Sequence, residues 1–189
     1  MSHYIFPVDW VFWTKAQNHE NNKNILSEEI NKKLSSTKND QVGIWQCDVN
    51  TEFFNPDNNK YIDIVVTEIY PALDKLFDEI DSLIKPKTST VTNIWYNQYN
   101  KGQNQEVHSH FGSEISGIYI LDLNEENTTV FYSFGASTTN TAKQTYKANK
   151  LKEGDIVLFP SHLLHYVLPS VNQRTTIAFN IKCEFENGR

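Results

Sequence analysis

Eight short β-rich runs that follow one another with no helical stretch between them set the strongest limit on how this chain can fold. They fall at 91–99, 106–110, 115–122, 128–134, 143–148, 155–160, 165–168 and 174–182, and clusters of Gly, Asn, Asp and Lys separate them. Neighbouring parallel strands need a crossover of a dozen or more residues, usually a helix, and these gaps leave no room for one. The runs therefore predict an antiparallel sandwich or barrel.

Upstream the periodicity changes. Residues 4–13 read as an apolar, aromatic strand, and 25–34 as a short helix in which Ser27, Glu28 and Glu29 suit the first turn. From Tyr61 to Ile84 the apolar residues Ile62, Val65, Val66, Ile69, Leu73, Leu76, Phe77, Ile80, Leu83 and Ile84 form a 3.6-residue stripe. Pro71 interrupts it, either kinking one helix or opening a helix that follows a strand over 61–69. No repeat, low-complexity tract or Pro/Gly/Ser linker divides the chain. Its 189 residues thus predict one domain, with an N-terminal helical support layer over 1–90 and a β-barrel core over 91–182.

Composition narrows the function. The net charge is −6 and no Lys/Arg run could track a phosphate backbone, which argues against bulk nucleic-acid binding. No apolar run approaches the ~20 residues that span a bilayer. Met1 to Trp13 lacks a basic start and a small-residue cleavage site, so it is not expected to be a signal peptide. The 2 cysteines, Cys47 and Cys183, make neither a disulfide framework nor a Cys-x-x-Cys centre, and a cytoplasmic location is expected. The N-terminal aromatics Tyr4, Phe6, Trp10, Phe12 and Trp13 are expected in the core.

Of the 6 histidines, His3 and His19 have no partners nearby in sequence. His108 and His110 share one run. In a strand they would point to the same face, about 6.6 Å apart along the backbone, close enough to converge on one ion. His165 follows the strand-and-turn phrase Gly154-Asp155-Ile156-Val157-Leu158-Phe159-Pro160 and can supply a third ligand. A lone His-x-His pair also occurs as ordinary surface or core histidines, and the pair by itself leaves both readings open. In the last run, alternation places Arg174, Thr176, Ala178 and Asn180 on one face and Thr175, Ile177, Phe179 and Ile181 on the other. The second face is core. The first is small and polar with one guanidinium, which if buried needs an anionic partner such as a carboxylate bound bidentately, with the Thr176 hydroxyl adding a hydrogen bond.

Several phrases in order carry a resemblance: Trp45-Gln46 with Asp48, Asn93-x-Trp95-x-Asn97, Tyr99-x-x-Gly102 leading to His108-x-His110, Ser116-Gly117-Ile118-Tyr119, Leu158-Phe159-Pro160-Ser161 followed by His165, and Arg174-x-x-Ile177-Ala178-Phe179-Asn180. The chain resembles the Fe(II)/2-oxoglutarate-dependent dioxygenases, in their prolyl-4-hydroxylase-like branch and a group of such oxygenases from phages and marine bacteria. The resemblance covers 91–181 well and 41–84 loosely. It implies a double-stranded β-helix, the jelly-roll, cupin-like barrel, and an oxidoreductase that hydroxylates an unidentified substrate with succinate and CO2 as co-products. It further implies His108 and His165 as iron ligands, Arg174 and Thr176 on the distal carboxylate of 2-oxoglutarate, and Tyr99 beside that co-substrate, with ascorbate a useful reductant in vitro.

Two departures stand out. Most relatives carry Asp or Glu where this chain has His110, so its triad would be three histidines, with Glu106 a conceivable substitute ligand. Ile120 stands where a second aromatic of the co-substrate pocket is usual. His162, three before His165, is expected to be structural or solvent-facing. Two other classes compete with the dioxygenase: a non-catalytic cupin-like metal-binding module, and a three-histidine zinc hydrolase, which leaves Arg174 and Thr176 without a role. The expected partner is a small-molecule or protein substrate, and a homo-oligomer is compatible with the sequence.

Overall fold

A computed structural model describes residues 9–34, 49–53, 61–79, 85–123, 129–132 and 145–185. The described residues form two antiparallel sheets and two helices. The strands are β1 (Phe12–Lys15), β2 (Asn50–Thr51), β3 (Thr88–Tyr99), β4 (Gln105–His108), β5 (Ile115–Leu123), β6 (Thr129–Tyr132), β7 (Thr145–Lys147), β8 (Asp155–Pro160), β9 (His165–Val167) and β10 (Arg174–Glu184). One sheet has six strands in the order β1-β8-β5-β10-β3-β2, and the other has four in the order β4-β9-β6-β7. Each of the eight expected runs contains a strand.

The helices, α1 (His19–Leu34) and α2 (Ile62–Glu79), pack on the six-stranded sheet. Val65, Ile69, Leu73 and Leu76 of α2 meet Tyr119, Ile156, Leu158, Ile177 and Phe179 in one apolar cluster. The other face of the same sheet gives Trp95, Ile118, Ile120, Val157 and Ala178 to a second cluster, with Phe131 of β6. Both faces of the central strands are therefore covered, and β8 is buried at every position. Each large aliphatic side chain buried in this way contributes about 1.5–3 kcal/mol.

Pro71 lies inside α2, so residues 62–70 are helical and the alternative strand over 61–69 is not formed. A helix-interior proline costs about 3 kcal/mol. The buried stripe on both sides of it, Val65 and Ile69 before and Leu73 and Leu76 after, offsets that cost. Helix α1 starts six residues earlier than its sequence shows. Glu68 of α2, 1% exposed, accepts hydrogen bonds from the Gln17 and Asn18 amides and from Asn22 Nδ2, and so holds the start of α1 in place. Strand β1 likewise begins only at Phe12, and residues 4–8 of the expected strand lie outside the described residues. Trp10 and Phe12 pack on the first cluster, whereas Trp13 is 45% exposed.

Gly117 of β5 marks a close approach. A Cβ there would lie 2.3 Å from Cζ of Phe179 and 2.5 Å from the Val157 carbonyl oxygen, so the Phe179 ring covers the strand where only hydrogen fits.

Candidate metal centre

Strands β4 and β9 pair so that His108 and His165 stand opposite each other, their ring centroids 4.2 Å apart. The register slips between Gln105 and His108. Gln105 and His108, three residues apart, both line the cavity between the sheets, while Glu106 and Val107 turn outward and are exposed. Glu106 is therefore no substitute ligand. Its contribution is its backbone oxygen, which accepts from His108 Nδ1 at 2.8 Å.

His110 lies beyond the end of β4, so strand alternation is not what orients it. Its amide donates to the Ser161 carbonyl at 2.8 Å, which ties the loop to the end of β8. Its Nδ1 bonds Asn180 Oδ1 of β10 at 2.7 Å, and the same oxygen accepts from the Ser116 hydroxyl at 2.9 Å. His165 Nδ1 bonds the Leu163 carbonyl at 2.9 Å. Each imidazole is thus tethered at Nδ1 by an oxygen acceptor, which fixes the tautomer with the proton on Nδ1 and leaves the Nε2 lone pair as the one available to a cation.

One nitrogen from each of His108, His110 and His165 lies within 4.8 Å of the others. Burial holds all three rings below their ordinary imidazole range. His110 is pushed down to about 4, by burial first and with a smaller push from His108, against the Asn180 hydrogen bond. For His165 burial comes first, followed by repulsion from His108 and His110. The rings therefore stay neutral at pH 7 with lone pairs available, the state that ligates a divalent first-row cation. Among the described residues no carboxylate joins the group.

Arg174 lies at the other end of the cavity. It is 1% exposed, donates from Nη2 to the Thr129 hydroxyl at 2.8 Å, and sits 5.3 Å from the Tyr99 ring centroid. Thr176 and Tyr99, both buried, line the same space, and the Tyr99 hydroxyl donates to Gln105 Oε1 at 2.6 Å. The described lining holds this one guanidinium and no carboxylate. The six candidate residues therefore meet in one cavity. Ile120, fully buried, belongs to the apolar cluster behind it and does not line it.

His162 is exposed and 3.3 Å from Asp9. His19 departs from its sequence reading: it is 7% exposed, 2.7 Å from the Tyr119 hydroxyl and 3.4 Å from Glu153, contacts contributed by residues 100 and 134 positions away. His3 and the phrase Trp45-Gln46 with Asp48 lie outside the described residues. The sequence reading gave no role to Asn180, Trp95, Gln105 or Thr129. Asn180 shares Arg174's face by alternation, which is the signal that could have marked it.

Residues 93–180 match the model of a family described as "Putative 2OG-Fe(II) oxygenase". No curated protein matches the chain. Among solved structures, the chain is similar to a prolyl-4-hydroxylase from Pseudomonas putida, at 11% identity and a TM-score of 0.62, covering 92% of each chain. It is similar to a viral collagen prolyl hydroxylase from Paramecium Bursaria Chlorella virus-1 in its 2-oxoglutarate complex, at 14% identity and a TM-score of 0.58, covering 90% of this chain and 94% of that one. It is also similar to HygX from Streptomyces hygroscopicus with nickel and 2-oxoglutarate bound, at 8% identity and a TM-score of 0.64, covering 96% and 85%. At such identities the likeness is one of fold, the double-stranded β-helix. The barrel segment that carries all three histidines and Arg174 is thus the part of the chain that matches the family model of 2-oxoglutarate/Fe(II) oxygenases.

Proposed function

We propose that this protein is a Fe(II)/2-oxoglutarate-dependent dioxygenase that hydroxylates a C–H bond of its substrate and releases succinate and CO2. The observation that carries the reading is the polarity of one cavity: three neutral imidazoles converge at one end and a buried guanidinium stands at the other. That layout suits a dianion whose keto-acid end chelates a metal and whose far carboxylate needs a cation.

His108, His110 and His165 would hold the iron through Nε2, each braced by its Nδ1 acceptor. Arg174 would pair with the distal carboxylate, steadied by Thr129, with Thr176 adding a hydroxyl and Tyr99 closing the side. Ile118, Val167 and Ala178 line the space between and keep water out. When bound, Fe(II) and 2-oxoglutarate would supply the activation of O2, which is the oxidant and gives one oxygen atom to succinate and the other to the substrate, while the protein supplies placement. A neutral triad leaves the metal's charge less compensated than a two-histidine-one-carboxylate set does, so the dianionic co-substrate carries more of that compensation here. We further propose that the enzyme works in the cytoplasm, a reading supported by its 2 cysteines, too few for a disulfide framework.

The test is to incubate purified protein with Fe(II), ascorbate and 2-oxoglutarate and to follow succinate. Slow substrate-independent succinate release, abolished in His165→Ala and reduced in Arg174→Ala, is the expected result. No succinate, together with 2-oxoglutarate affinity unchanged in Arg174→Ala, would overturn the reading.

A further inference from the structure

A buried donor in this cavity has no role in the scheme above. The indole of Trp95 is 4% exposed and lines the cavity, and its Nε1–H has no hydrogen-bond partner. Buried donors are almost always paired, because water must be given up without replacement otherwise. An orphan in a ligand cavity points to a partner that arrives with the ligand.

Register places this donor along the cavity. Across β3 and β10, Tyr99 faces Arg174, Asn97 faces Thr176, and Trp95 faces Ala178. Trp95 is thus four residues from the Arg174 level, about 13 Å along the strand at ~3.3 Å per residue. Its ring lies 5.5 Å from that of His110, so it belongs to the imidazole end. The methyl side chain of Ala178 opposite leaves room beside it. Phe53, itself exposed, packs edge-on against the indole at 5.1 Å.

We propose that Trp95 binds the co-substrate: its Nε1–H donates a hydrogen bond to the metal-chelating carboxylate of 2-oxoglutarate, opposite in position to the Arg174 grip. The inference rests on the dioxygenase reading. A donor facing a carboxylate makes a charge-assisted bond, and with three uncharged metal ligands this chain has added need of donors around that anion. Trp95 would then select which oxygen faces the protein and which faces the metal.

The experiment uses Zn(II)-loaded full-length protein carrying 15N-indole tryptophan. Trp95→Phe keeps the ring and removes the N–H, and it identifies the Trp95 indole cross-peak by its loss. Adding 2-oxoglutarate should move that cross-peak downfield, and calorimetry should show about tenfold weaker 2-oxoglutarate binding in Trp95→Phe. The ligand-free variant should melt no lower than wild type, because it loses a buried unpaired donor and little packing. A variant that binds weakly only because it is damaged would melt lower, and that result counts against the proposal. An unmoved cross-peak at saturating 2-oxoglutarate, with affinity unchanged in the variant, overturns the role of Trp95 and leaves the dioxygenase reading standing. Wild-type protein that binds no 2-oxoglutarate overturns both.

Discussion

His108 and His165 face each other across β4 and β9 with ring centroids 4.2 Å apart, yet they are 57 positions apart in the chain and each is tethered at Nδ1 by a backbone oxygen. The backbone thus orients two of the three proposed ligands. The third, His110, depends on a side chain, the Asn180 amide.

That difference gives the first prediction. Asn180→Ala leaves all three imidazoles in place but removes the acceptor at His110 Nδ1, and losing such a support typically costs 10–100-fold in metal affinity. Competition with a chromogenic chelator should show Zn(II) affinity lowered by that range, with His165→Ala weaker still. Equal affinity in wild type and Asn180→Ala would mean that His110 does not ligate.

The metal-free protein should lose stability as acid is added through the imidazole range. The sign follows from proton binding: His110 titrates at about 4 when folded and near 6.5 when unfolded, so between those values the unfolded chain binds more protons. Its contribution is fully present above about pH 6.5 and is lost as pH falls to about 4, with an upper bound of about 3 kcal/mol. Thermal melts in chelator from pH 7.5 to 4 should show the decline, and His110→Phe should make it shallower, leaving the part that His108 and His165 contribute.

Cys183 is buried, and burial first, then Glu114, push its thiol up to about 11. The native thiol should resist alkylation at pH 8 and react only on unfolding. Peptide-resolved mass spectrometry after iodoacetamide labelling, with and without denaturant, reads this directly.

Gly117→Ala would drive a Cβ onto the Phe179 ring and the Val157 carbonyl. The carbonyl belongs to the neighbouring strand and cannot rotate away, so the cost should reach about 1–3 kcal/mol or more. Urea denaturation would measure it. A loss below about 0.5 kcal/mol would mean that the sheet relaxes locally.

The β half of the fold was legible because short runs between turn clusters report strands directly, and β10 kept the alternation that put Arg174, Thr176 and Asn180 on one face. The N-terminal half was less so. The start of α1 depends on Glu68, about fifty residues away, and its first turn, rich in Asn, carries little helical signal. The three histidines were legible as a set, but the geometry that assembles them was not. A register slip in β4 sets Gln105 and His108 on one side, and a loop bond to Ser161 brings in His110. Neither leaves a mark in the sequence. His19 seemed isolated because its partners, Tyr119 and Glu153, are distant in the chain.

The central claim is that one cation and one 2-oxoglutarate share the cavity between the three histidines and Arg174. Anaerobic titration of the Fe(II)-loaded protein with 2-oxoglutarate tests it most directly, through the visible charge-transfer absorption that arises only when a keto acid chelates ferrous iron. The account predicts a saturable band in wild type, no band in His165→Ala, and a band needing at least tenfold more 2-oxoglutarate in Arg174→Ala. No band in iron-loaded wild type at millimolar 2-oxoglutarate would contradict it.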